Sequence, residues 1–223
     1  MRSPKAYSHS SGFKVISGCA DYVEAFGRAD MLISSMAIHS EIARSGSAKQ
    51  RAARDEVRMA ELVAFTARSL KTERPVPFGS SIVSTKSGEV LLRALNAVAR
   101  EFDPSSHAEV RAIRLATKKL KNLSLAGYTL YTTCEPCPMC MSTALWAGLD
   151  RVVYGATIED ANRHCRQIHI HATEIAERSD MRCRVEGPLL REQCYALFTH
   201  PNMLKAFRNW STRKRRTASE RYR

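Results

Sequence analysis

Hydrophobic positions change their period several times along this chain, and each change marks an element. Val57, Leu62, Val63, Phe65 and Leu70 recur at roughly helical spacing, which predicts an amphipathic helix that begins near Arg51 and ends before Pro75. Ser81–Ser84 and Val90–Leu95 bracket the turn-forming Thr85-Lys86-Ser87-Gly88, the pattern of a β-hairpin. Asp103-Pro104-Ser105-Ser106 announces a helix over roughly His107 to Leu120, with Val110, Ile113 and Leu120 along one face. Gly127–Thr132 is a strand by its aromatic and β-branched content. Pro136 and Cys137 open a helix that reaches about Ala147, and Arg151–Tyr154 is a short strand of the buried kind. Weaker signals beyond Ala156 predict a helix near Ala172–Arg178, a strand near Arg182–Val185 and a helix from Leu189 to Phe198. Strands separated by single helices imply a partly parallel sheet covered on both faces, so the fold class is α/β.

The flanks differ from this patterned domain, which spans residues 51–200. Residues 1–50 read as an N-terminal extension that is Ser-rich at Ser8–Ser11 and closes on the small, polar linker Ala43–Gln50. Residues 201–223 read as a basic tail. Met203–Arg223 carries eight Lys/Arg and one Glu, a net +7 out of the +13 of the whole chain. Like-charge blocks of that kind usually stay disordered in isolation, and they suit a polyanion, so the tail is a candidate RNA contact.

No apolar run is long enough to span a bilayer, and no membrane partner is expected. The N-terminus lacks the pattern of a secretory signal, while Asp21, Glu24 and Asp30 count against a transit peptide. Seven cysteines include three at three-residue spacing, Cys134, Cys137 and Cys140. Without an export signal such clustering favours metal binding over disulfides, and a cytoplasmic location is expected.

Chemistry concentrates in two motifs, His107-Ala108-Glu109 and Pro136-Cys137-Pro138-Met139-Cys140, each at the start of a predicted helix. Zinc prefers imidazole and thiolate ligands in a tetrahedron, and His107, Cys137 and Cys140 supply three. Three protein ligands leave a fourth position for water, which marks a catalytic site. Helix dipoles there favour thiolate over thiol. Glu109 is placed to move protons as general base and acid. Two blander readings stand beside this one. Ser106-x-x-Glu109 also fits a capping box, and Cys-Pro-Met-Cys with Cys134 also fits half of a zinc ribbon, although Cys165, Cys183 and Cys194 are isolated and offer no second pair. The His164–His171 run is a weaker candidate for a second metal, and Met139 and Trp146 are expected to pack in the core.

With these residues in view, the chain from about Arg51 to Phe198 resembles the cytidine-deaminase-like superfamily, whose signature is H-x-E with P-C-x-x-C. Within it, Tyr131–Met141 is similar to the branch of guanine deaminases, tRNA adenosine deaminases and related nucleoside deaminases. The resemblance implies a three-layer α/β/α sandwich around a five-stranded mixed sheet, one zinc ion per chain and a homodimer. It implies substrate contacts from Asn96, from Phe78 as an apolar wall in Pro77-Phe78-Gly79, from the Ala108 N–H, and from the turn at Glu135 and Pro136. Where guanine deaminases carry a Gly-Phe-Asp-Asp-like segment this chain reads Ala156–Asn162, and Asp160 is the candidate substitute. The loop of the tRNA enzymes is missing there too. The leading expectation is a zinc-dependent deaminase of a free nucleobase or nucleoside, foremost an aminopurine such as guanine. A tRNA adenosine deaminase, forming inosine, is the alternative. A zinc-stabilised nucleic-acid-binding module without catalysis is the alternative of another class.

Overall fold

In the computed structural model, which describes residues 48–213 and side chains as far as 210, helix α1 covers residues 48–67 and runs into a 3-10 turn at Arg68–Lys71. The hairpin follows as β1 (Gly79–Ser84) and β2 (Val90–Leu95). Next come α2 (Val98–Glu101), α3 (Ala108–Leu120), β3 (Tyr128–Cys134), α4 (Pro138–Trp146) and β4 (Arg151–Ala156). The chain continues through α5 (Ile158–Asn162), α6 (Ala172–Glu177), β5 (Arg184–Glu186), α7 (Arg191–Thr199) and α8 (Pro201–Arg213). Residues 1–47 of the expected extension, and the tail past Arg213, lie outside the described residues.

The strands form one sheet in the order β2-β1-β3-β4-β5. β1 pairs antiparallel with β2 and β3, while β3, β4 and β5 run parallel, so the sheet is mixed as expected. Alternation along the strands builds two cores. Val83, Tyr131 and Val153 pack with Met59 and Leu62 of α1, Phe198 of α7 and Met203 of α8. Ile82, Leu130 and Val152 pack with Ile113 of α3, Met141 of α4 and Ala172 of α6. Neighbouring residues thus face opposite helical layers, because the side-chain period of a strand is two. The result is the three-layer sandwich. Each fully buried Leu, Ile or Phe contributes about 1.5–3 kcal/mol to it.

Three features depart from the sequence expectations. The expected boundary at residue 200 is no break in packing. The first part of the basic tail is α8, with Met203 and Phe207 buried and Asn202 Nδ2 donating to Leu70 O at 2.9 Å. Apolar residues on one face of α8 find a partner in the core, and this outweighs the repulsion of its charges. Trp146 does not pack in the core. It is 80% exposed at the end of α4. Helices α2 and α5 were not expected, since four or five residues are too short for a helical period to show. Among the described residues, no helix is long and apolar enough to cross a membrane.

Candidate metal centre

The topology gathers the chemistry at one end of the sheet. β1 begins there and β2, β3 and β4 end there. Phe78 precedes β1, Asn96 follows β2, Glu135 follows β3 and Thr157 follows β4, so all four reach the same edge. Helices α3 and α4 start at this edge. His107 is the N-cap of α3 and Cys137 the N-cap of α4, and neither makes a side-chain capping bond. Pro138 at the first position of α4 fits the fixed φ of a helix start.

Three donor atoms converge. His107 Nδ1 lies 3.7 Å from Cys137 Sγ and 3.5 Å from Cys140 Sγ, and the two sulfurs are 3.6 Å apart. A tetrahedral zinc with Zn–S near 2.3 Å and Zn–N near 2.0–2.1 Å requires edges of about 3.8 Å and about 3.6 Å. The donor set and its spacing therefore fit zinc. A hydrogen bond with Cys140, against the opposing effect of burial, and the neighbouring imidazole pull Cys137 down to about 4. The same sulfur contact and burial push Cys140 well up. Contact with Cys137 raises His107. Binding of a dication would displace the thiol proton.

Glu109 stands on the first turn of α3, and only 5% of it is exposed. Burial pushes its carboxyl up to about 7, the range of a group that both takes and gives protons near neutral pH. The capping-box reading does not hold. The Ser106 hydroxyl donates instead to Glu101 Oε2 at 2.6 Å and Asp103 Oδ2 at 3.1 Å. The zinc-ribbon reading fails as well. Cys134 is buried with its sulfur near Thr157 O, outside the metal group, and burial holds its thiol well above the usual range.

The remaining candidates divide. Asn96 Oδ1 accepts from Val98 N at 3.2 Å in a turn, while its Nδ2 donates to no other described residue. Phe78 meets Phe198 edge to face at 5.2 Å. Its segment is pinned to β3, since Thr133 Oγ1 donates to Pro77 O and accepts from Gly79 N. A side chain at Gly79 would collide with Thr66 Oγ1, 2.0 Å from an added Cβ. Ala108 is fully buried at the first position of α3, where its N–H has no intrahelical acceptor. Pro136 lies at the turn into α4, between Glu135 and Cys137.

Asp160 has a different job from the one expected. It closes a capping box with Thr157, and both its oxygens hold Arg191, at 2.7 and 2.9 Å. It is buried, and Arg191 keeps its carboxyl below the usual range, so this acid fixes α5 to α7. The Thr-x-x-Asp pattern was the legible sign of that role. Nor do the histidines after residue 163 form a shared metal site. His164 Nε2 meets the Tyr195 hydroxyl at 3.1 Å and its ring stacks on Phe207, whereas His171 Nδ1 lies 3.0 Å from Glu135 Oε1. Sequence reasoning missed what the Glu135 side chain does. Its buried carboxylate also accepts from Ile158 N and Ala172 N, tying the turn into α4 to the starts of α5 and α6. These partners are 23 to 37 residues away, and no local pattern reports them.

Comparison with known proteins agrees with this geometry. Residues 51–156 match the family model described as the cytidine and deoxycytidylate deaminase zinc-binding region. A tRNA-specific adenosine deaminase of Bacillus subtilis is 32% identical over 74% of this chain and 94% of its own length. The chain belongs to this deaminase family. A guanine deaminase of Bacillus subtilis is 46% identical, but the match covers 38% of this chain and 53% of that relative, so the chain spans only about half the relative's length. Among solved structures, guanine deaminase from Nitrosomonas europaea superposes with a TM-score of 0.59 at 22% identity, covering 69% of this chain and 84% of the other, a likeness of fold. The family's zinc-binding region contains His107, Glu109, Cys137 and Cys140 of this chain.

Proposed function

We propose that the chain is a zinc-dependent hydrolytic deaminase of a free nucleobase or nucleoside, foremost an aminopurine such as guanine. One observation carries the reading: three donor atoms within 3.7 Å of one another, beside the buried carboxyl of Glu109, which burial pushes up to about 7. His107, Cys137 and Cys140 hold the metal. Bound zinc supplies Lewis-acid chemistry, bringing the pKa of water to about 7. Glu109 takes one proton from the attacking water and gives it to the ring nitrogen, then takes the second from the hydroxyl on the former amidine carbon and gives it to the leaving amine. Water adds to the amidine carbon, ammonia leaves and a carbonyl remains. The Ala108 N–H and Asn96 Nδ2 orient the ring by donating hydrogen bonds, and Phe78 offers an apolar wall to its flat face. The purine preference rests on the 46% identity to a guanine deaminase over 85 residues.

A second reading, adenosine deamination in tRNA, is favoured by the tRNA-specific relative that aligns over 74% of the chain. Exposed Lys205 and Arg208 on α8 fit a polyanion. The test is ammonia release by the zinc-loaded protein on guanine, adenine, cytosine, their nucleosides and unmodified tRNA. Turnover of guanine is expected. Turnover of tRNA alone would transfer the assignment to the second reading. A protein that keeps stoichiometric zinc and releases no ammonia from any of them would leave the non-catalytic module standing.

A further inference from the structure

Arg51, Arg54 and Arg58 follow at i, i+3 and i+7 on α1 and share one face of it. That face looks onto the turn between β1 and β2. A Cβ at Gly88 would lie 3.8 Å from Arg54 Cδ and 3.9 Å from Arg58 Nη2, and Arg54 Nη1 donates to Lys86 O. Between helix and turn is a concavity lined by the three arginines, by Arg151 and by hydroxyl-bearing residues that include Thr85 and Thr129. It lies at the opposite end of the sheet from the metal centre: Thr129 stands near the start of β3, roughly 17 Å of strand before Cys134.

The charges of this concavity do not balance from within. Asp55 is the acid in its lining, and it is engaged by Arg151 and the Tyr131 hydroxyl. Glu61 holds Arg58 at 2.9 Å but also holds Arg93 at 2.7 Å. Arg51 and Arg54 have no carboxylate partner among the described residues. Like charges at this helical spacing oppose the helix, and a bound anion reverses that effect. Thr85 Oγ1 and Thr129 Oγ1 lie 3.0 Å apart, so one of their two hydroxyl hydrogens serves that contact and the other is available to a ligand.

We propose that this concavity binds a phosphate group. Guanidinium forks match phosphate oxygens two at a time, and a phosphate offers enough acceptors for several arginines and a hydroxyl together. The site is separate from the deaminase chemistry and does not depend on it.

Inorganic phosphate is titrated into the metal-loaded full chain at constant ionic strength, with thermal unfolding as the readout. A saturable rise in Tm is expected, about 3–6 °C at roughly ten times the dissociation constant. The Arg51→Ser/Arg54→Ser double variant should lose it, and circular dichroism should show that variant folded, because both side chains are exposed. Arg178→Ser, which removes an exposed charge elsewhere, should keep it. A parallel arm follows a short single-stranded RNA by fluorescence anisotropy. Binding that falls about tenfold or more in the double variant, with no response to inorganic phosphate, would support the site and assign its phosphate to a nucleic-acid backbone. Equal responses in wild type and double variant, or no response to either probe, would overturn the proposal.

Discussion

Two buried polar clusters occupy opposite ends of the sheet, and they treat charge in opposite ways. Around Arg151, the charges of the guanidinium and of Asp55 beneath it are answered by the chain itself. The guanidinium side chain is 2% exposed, Asp55 accepts from Nη2 at 2.8 Å, Glu186 accepts on its other side, and the Tyr131 hydroxyl donates to Asp55. Around Cys137 the chain leaves its donors unanswered. Two sulfurs and an imidazole face one another, Glu109 is buried beside them, and among the described residues no Lys or Arg pairs with any of them. Burying an unbalanced set of this kind costs stability unless a cation joins it. The first cluster holds the fold, and the second presents donors that a cation would complete. Burial alone does not separate them; the location of the counter-charge does.

The largest effect should come from Glu109→Gln. Removing a general acid–base typically costs about 10²–10⁴-fold in rate, so ammonia release should fall by that factor with metal content unchanged. The fold should not weaken, because the change replaces a buried ionisable group with a neutral one of the same shape. Cys140→Ser gives the contrast: metal is lost and activity with it. Metal analysis beside steady-state kinetics checks both. Wild-type turnover in Glu109→Gln would remove the proton-shuttle role.

Breaking the balanced cluster should do the reverse. Arg151→Met leaves Asp55 buried and unpaired, which costs about 3–5 kcal/mol and lowers Tm by about 6–20 °C. Metal content and kcat per folded molecule should hold. Adding Asp55→Leu should recover much of the loss, since the Glu186 side chain is 39% exposed and can be hydrated. Urea denaturation of both variants gives the values. A parallel loss of metal would mean that the two ends of the sheet are coupled.

How far each cluster was legible from sequence follows the same division. The convergence of His107, Cys137 and Cys140 was readable because they lie in two short motifs at helix starts, at a spacing that suits metal donors. The sheet and most helices were readable because their apolar periods are local. The Arg151 cluster was not readable, since Asp55 and Arg151 are 96 residues apart and an isolated Arg at a strand start carries no signal. Asp160 was misread for a related reason. An acid near a family's substrate segment invites a ligand role, and only Arg191, 31 residues on, shows that its charge is already used. The start of the tail was misread because composition dominated, while Met203 and Phe207 at helical spacing carried the packing information.

His171 lies between the two extremes and should give the smallest effect. Its ring is half exposed and bridges Glu135 at 3.0 Å and Glu159 at 3.4 Å. The hydrogen bond to Glu135, and then the charge of that carboxylate, raise its pKa above the ordinary value of 6.5. A raised folded-state value means that protonation favours the fold. The contribution is therefore complete below pH 6.5 and is lost as the pH rises through the folded-state value. Solvent screening at the exposed ring keeps it small. Comparing wild type with His171→Gln cancels every other titrating group. The Tm difference between them should be greatest near pH 6 and shrink steadily toward pH 8.5. Parallel curves over that range would show that the buried Glu135 carboxylate is held by the Ile158 and Ala172 amides alone, which would place this site with the self-balanced cluster.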